Sequence, residues 1–247
     1  MLKTYVGFEW FKLKRQKVSL LLIIVPLVSV LLGIGNFFGN YDVLMDQPGD
    51  NAWLEMWTQI TLFYGILFLP VSSGIFAALV CRTDHLNGGW KLQFALPIAR
   101  SIIYWAKLIV ILTLVLIMQL ILLVCCLIAG KLAGIDDAIP IGFMLGAILL
   151  SWFGTFSLCA IQLWLSYRIK SFGIPLSINI VLALMVFAAF ASKWGMLYPW
   201  AQPAFAIAAP QESPVESMPL FITSIVIIFG VLVTLISTRF GKSDLKV

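Results

Sequence analysis

The chain has 247 residues, of which 62% are hydrophobic and 11% charged, with mean hydropathy +1.04 and formal net charge +5. A water-facing domain carries roughly 25% charged residues. The 16 basic and 11 acidic side chains present therefore exclude a soluble globule and leave a single all-α membrane domain over residues 1–247.

In chain order, residues 1–17 come first as an amphipathic helix. Leu2, Val6, Trp10 and Leu13 recur at helical spacing on one face. Lys12, Lys14 and Arg15 can reach lipid headgroups, which predicts an interfacial helix along the cytoplasmic leaflet. The alternative is a plain basic flank that only sets topology. Six apolar stretches are then long enough to cross a hydrocarbon core of roughly 30 Å. They are Val18–Phe38, Gln59–Val80, Tyr104–Ala129, Ile141–Leu165, Phe172–Ala191 and Pro219–Thr238. The first ends in Gly33-Ile34-Gly35-Asn36-Phe37-Phe38 without a small-residue cleavage site, so an uncleaved span is expected.

The loops between spans differ in chemistry. Gly39–Thr58 is acidic and carries Trp53 and Trp57; it reads as a solvated loop, or as one that meets cationic peptides. Region 82–103 is basic. In it Asp84 can cap a short helix, Leu86, Trp90 and Phe94 fall on one face, and Pro97 stops the helix. An exposed aromatic stripe beside Arg82, Lys91 and Arg100 suits a groove on another protein; the alternative is a helix lying on the membrane. Region 192–218 is rich in Pro and aromatics, including Trp194, Tyr198, Trp200 and Phe205, and predicts a re-entrant or surface-lying extracellular hairpin before the last span.

Charge orients the whole. Fourteen of the 16 basic residues fall at the N-terminus, in the loops after spans two and four, and at the C-terminus, leaving Lys131 and Lys193 on the other side. The positive-inside rule makes the basic side, with both termini, cytoplasmic. The net charge thus reads as orientation, with no nucleic-acid partner. Asp42, Asp46, Asp50, Glu55, Asp136, Asp137, Glu212 and Glu216 lie on the opposite side.

Chemistry is sparse. Cys81, Cys125, Cys126 and Cys159 lack metal or redox spacing, and the single histidine, His85, excludes a multi-histidine metal site. Gly241-Lys242-Ser243 resembles the end of a phosphate loop, but Ile236 stands where the upstream Gly is required. No elbow or strand context supports a triad on His85 and Ser101. The span centres carry no charge, which argues against an ion-coupled carrier. Gln119 and Asn179 lie mid-span; they read as interhelical hydrogen-bond partners or, with Trp200 and Phe205, as candidates for a substrate path. If such a chain moves anything actively, the energy comes from a partner.

These features resemble the permease subunit of an ABC-2 type ABC transporter over nearly the whole chain. The stretch Asp84-His85-Leu86-Asn87-Gly88-Gly89-Trp90-Lys91, then Leu96-Pro97-Ile98-Ala99-Arg100 and Lys107, resembles that family's coupling-helix region, with Asp84 in the place of its usual acidic residue. The N-terminal helix with Glu9, Trp10, Lys12 and Arg15 resembles its elbow helix. Length and the Gly-Gly-Trp-Lys wording look most like lantibiotic-immunity and bacitracin-resistance permeases. The resemblance implies a bacterial plasma-membrane protein paired with a second permease, identical or homologous, and with a cytoplasmic ATPase dimer. ATP and Mg would sit on that ATPase, with no cofactor on this chain. It implies ATPase docking at Asp84, Leu86, Trp90, Lys91 and Phe94, and removal of an antimicrobial peptide from the membrane. Another hydrophobic substrate, or a non-transporting immunity scaffold, stands as the alternative.

Overall fold

A chain this apolar has to satisfy its own backbone hydrogen bonds, which favours helices throughout. The structure, a computed structural model, describes residues 1–242 apart from Arg15, Lys17, Gln47, Pro48, Asn87 and Leu96, and apart from the side chains of residues 240–242. Every described regular element is helical. We label α1 (Leu2–Leu13), α2 (Val18–Gly39), α3 (Ala52–His85), α4 (Gly89–Ala95), α5 (Arg100–Leu132), α6 (Ile141–Arg168), α7 (Gly173–Phe190), α8 (Gln202–Ile207) and α9 (Met218–Lys242). Six of them, α2, α3, α5, α6, α7 and α9, are long and apolar enough to cross a membrane.

All six expected spans are present, and several run further than their apolar stretches. α3 has 34 residues, about 50 Å at the usual rise, so it projects beyond the hydrocarbon at its ends. Its N-terminus is capped twice. The Asn51 side-chain oxygen accepts from the Trp53 and Leu54 amides at 3.0 and 3.3 Å, and the Asp137 carboxylate accepts from the Ala52 amide at 2.8 Å. Part of the expected acidic loop is therefore helix. Trp53 and Trp57 are fully buried core residues, not loop side chains open to a peptide. Farther along, α3 widens into a π turn at Tyr64–Phe68 just before Pro70. Proline has no N–H for the usual bond, and the wider turn absorbs the missing donor.

The middle of the bundle is α3, α5 and α6; α2, α7 and α9 pack outside and keep long apolar faces. On α2, Leu20, Ile23, Leu27 and Leu31 are all exposed at spacings of three and four, the pattern of a face that meets lipid. The bundle has a basic end, carrying α1, α4 and the α6–α7 turn, and an acidic end carrying the other loops.

At the acidic end, residues 192–218 turn back into the bundle. All six residues of α8 are buried, packed against α3 and α6. A Cβ on Gly154, near the middle of α6, would lie 3.1 Å from the Gln202 carbonyl, a tight contact that a side chain could make only if α8 gave way by a few tenths of an ångström. Side-chain hydrogen bonds tie the hairpin to the spans, where the short α8 leaves end carbonyls without partners of its own. Trp57 Nε1 donates to the Ile207 carbonyl at 2.9 Å, Ser151 Oγ to Pro203 at 3.0 Å, and the Tyr198 hydroxyl to Leu182 at 2.7 Å.

Candidate functional site

Four elements meet at the basic end: α1, the last turn of α3, α4, and the second turn of α5. Their contact is a closed ring of charge. Lys12 Nζ donates to Glu9 Oε1 and to Asp84 Oδ1, each at 2.8 Å. Lys107 Nζ donates to Glu9 Oε2 at 2.9 Å, to Asp84 Oδ2, and to the Val80 carbonyl at 3.3 Å. Two carboxylates and two ammoniums thus alternate with no net charge. Glu9 is 1% exposed, Asp84 4% and Lys107 0%, whereas Lys12 at 16% is the ring's outlet to solvent. Buried charges persist only when paired and further hydrogen-bonded. The Gln93 side-chain amide supplies one such bond, donating to Asp84 Oδ1 at 2.6 Å, and ties α4 to the ring.

A second fastening runs through His85. The Trp90 indole N–H donates to His85 Nδ1 at 3.2 Å, and His85 Nε2 faces the Ser166 carbonyl at 2.7 Å. An indole nitrogen only donates and a carbonyl only accepts, so the ring is the neutral Nε2–H tautomer. This relay joins α4 to the end of α6. The Trp90 ring packs edge-on against Tyr167 at 4.9 Å, stacks on Phe94 at 5.6 Å, and lies 5.2 Å from the Lys107 ammonium. It closes the charge ring over.

The turn into α4 depends on two glycines. Gly88 has φ +71°, a left-handed conformation that favours glycine. A Cβ on Gly89 would lie 2.9 Å from Asp84 Cα, so the chain doubles back against α3 only without one.

Several expectations change here. Asp84 does not cap the short helix; it lies in the last turn of α3 with its carboxylate in the ring. The Leu86–Trp90–Phe94 stripe is not an exposed face: Trp90 is 4% exposed and Phe94 half-buried beneath the Arg100 guanidinium, and only Leu86 is open. The outward side of α4 is Lys91 and Leu92, the latter 72% exposed. On α1, Glu9 and Lys12 point into the bundle, not to headgroups, and Trp10 is half-buried; Arg15 lies outside the described residues, as do Asn87 and Leu96 of the coupling stretch. Lys107, read with the coupling region, and Gln93, which carried no expectation, complete the assembly.

The four substrate-path candidates are interior residues. Asn179 Oδ1 accepts from Gln162 at 2.8 Å and from the Trp200 indole at 2.7 Å, while its Nδ2 donates to the Pro70 carbonyl at 2.6 Å. Gln119 donates to Ser151 Oγ at 3.1 Å. Both are fully buried, and they act as interhelical links that also hold the hairpin. Trp200 is locked by Asn179; Phe205 is 3% exposed and contributes to the wall of a cleft with Met196, Val215 and Leu220. A different side cleft of about 160 Å³ opens between α3, α7 and the hairpin, lined by Leu62, Ile66, Phe190, Ala204 and Ala208 with Glu212. Asp50 and Glu212 both bear electrostatically on Glu55, so three carboxylates share this region.

Six helices long and apolar enough to cross a membrane, with a short loop helix locked against one end of them, make a multi-pass membrane protein. The chain belongs to the ABC-2 family of transporter proteins, whose family model matches residues 5–187. Neither the curated proteins nor the solved structures contain a match. The matched stretch contains most of α1, the charge ring, α4 and most of α7. Membership makes the chain a multi-pass membrane permease subunit of an ABC transporter, working with an ABC ATPase.

Proposed function

We propose that this permease removes a cationic, membrane-active antimicrobial peptide from the bilayer, driven by a cytoplasmic ATPase dimer seated on α4 and working beside a second permease subunit. The observation that favours such a cargo is the cleft at the acidic end. It opens sideways between helices, its walls are mostly apolar with Thr58 and Thr61 among them, and Glu212 stands in its lining with Asp50 and Glu55 nearby. An amphipathic peptide with cationic side chains matches that combination of apolar wall and negative rim.

The drive reaches the cleft through α3 and α6. At the basic end they hold α4 through Asp84, His85, Ser166 and Tyr167. At the acidic end the same two helices hold the hairpin through Trp57, Ser151 and Gly154. Closure of the ATPase pair presses Leu92 and Lys91, and the load passes through the charge ring and the His85 relay into both helices. Their tilt reshapes the side cleft.

The test is protection of cells carrying the permease and its ATPase against a cationic amphipathic peptide. Glu212→Lys is expected to reduce protection while basal ATP hydrolysis stays unchanged. Protection that survives loss of ATP hydrolysis would replace this reading with the non-transporting immunity scaffold. Unchanged protection in Glu212→Lys would move the substrate elsewhere.

A further inference from the structure

A third cleft, of about 140 Å³, lies at the basic end between the last turns of α3 and α6 and the start of α7. Arg82 and Lys170 line it, are exposed, and form no ion pair among the described residues. Ser166 also lines it. This serine is 2% exposed, and its hydroxyl has no hydrogen-bond partner among the described residues. A buried hydroxyl left unpaired is costly, and here it lies beside two unneutralised cations. The rest of the wall is mostly apolar, from Ala78, Leu86, Ile169 and Phe172, with His85 and Ser171 as its other polar members.

We propose that this cleft binds the phosphate of an anionic phospholipid. Arg82 and Lys170 neutralise the charge, and the Ser166 hydroxyl donates to a phosphate oxygen. Location selects a lipid over a soluble anion: the cleft lies where α6 ends and α7 begins, the level at which spans leave the apolar layer. Phe172 and Ile174, 40% and 53% exposed, continue its apolar wall onto the outside of the bundle, where acyl chains run. Basic pockets between spans on the anionic leaflet are a recurrent lipid-headgroup site. His85 borders the same cleft, and its bond to the Ser166 carbonyl is part of the α4 relay. A bound lipid therefore braces the seat of α4.

The full-length chain in nanodiscs is examined by native mass spectrometry for retained phosphatidylglycerol against phosphatidylcholine. Wild type is expected to retain phosphatidylglycerol preferentially. Arg82→Gln should weaken that retention about fivefold, and the Arg82→Gln/Lys170→Gln double variant roughly twentyfold. Ser166→Ala should weaken it with the unfolding temperature in phosphatidylcholine discs unchanged. Lys193→Gln, at the acidic end, is the control that should have no effect. Equal retention by the double variant and wild type would overturn the assignment. So would displacement of the lipid by inorganic phosphate, which would assign a soluble anion. Intact retention with loss of ATPase binding would assign an acidic side chain of the ATPase.

Discussion

Lys107 is the residue on which the basic end turns. Its ammonium is fully buried and touches both carboxylates of the ring, so its removal leaves Glu9 and Asp84 with Lys12 alone. Breaking a buried pair by deleting one partner typically costs about 3–5 kcal/mol. Lys107→Met is therefore expected to lower the unfolding temperature in detergent sharply. Glu9→Gln added to Lys107→Met restores charge balance, leaving Asp84 with Lys12, and should recover part of the loss; a purely additive double variant would show that the ring is not a unit. Lys12→Ala should cost less, since Lys12 is 16% exposed and water can replace it. The ring had one trace in the sequence: Glu9 and Asp84 are, with Asp244, the few acids on a side otherwise basic. What hid it is distance along the chain, with Glu9 98 residues from Lys107 and Asp84 72 from Lys12. No local spacing reports such a closure.

Among the elements, α4 and the hairpin carry the proposed function. The seven-residue α4 is too short to be stable alone, and Trp90 and Gln93 hold it by its inner face. Leu92→Glu is thus expected to keep the fold and the unfolding temperature while reducing co-purification with the ATPase. Trp90→Ala should instead destabilise the chain, by about 3–5 kcal/mol for a buried aromatic. A helical period places Leu86, Trp90 and Phe94 together, as the sequence suggests, but does not say whether that face looks outward. Trp90 is drawn in by Tyr167, 77 residues away in the chain, and the outward side falls to Leu92. The hairpin's break from regular helix was legible in its prolines; its seat between Gly65 and Gly154 was not, because the match is between surfaces of distant segments. Gly154→Leu should displace α8, read as new protease cleavage within residues 192–218 with the six spans intact.

Across the whole molecule, the apolar runs alone were enough to find all six spans, because helix is the economical way to satisfy a backbone without water. Their order in space was not legible: nothing in hydropathy says that α3, α5 and α6 are central and α2, α7 and α9 peripheral. That order matters because α3 and α6 each hold α4 at one end and the hairpin at the other, which makes the missing intramembrane chemistry understandable. Under the proposed drive the interior passes displacement along, while Gln119, Asn179 and Ser151 hold helices together. In the proposed mechanism the outward face of α4 is where the ATPase presses. A photo-crosslinking residue placed at Leu92, in the chain expressed with its ATPase, tests it most directly. An ATPase adduct from position 92, with none from the equally open Leu132 at the acidic end, is the predicted result; no ATPase adduct at position 92 in a folded, ATPase-bound permease would contradict it.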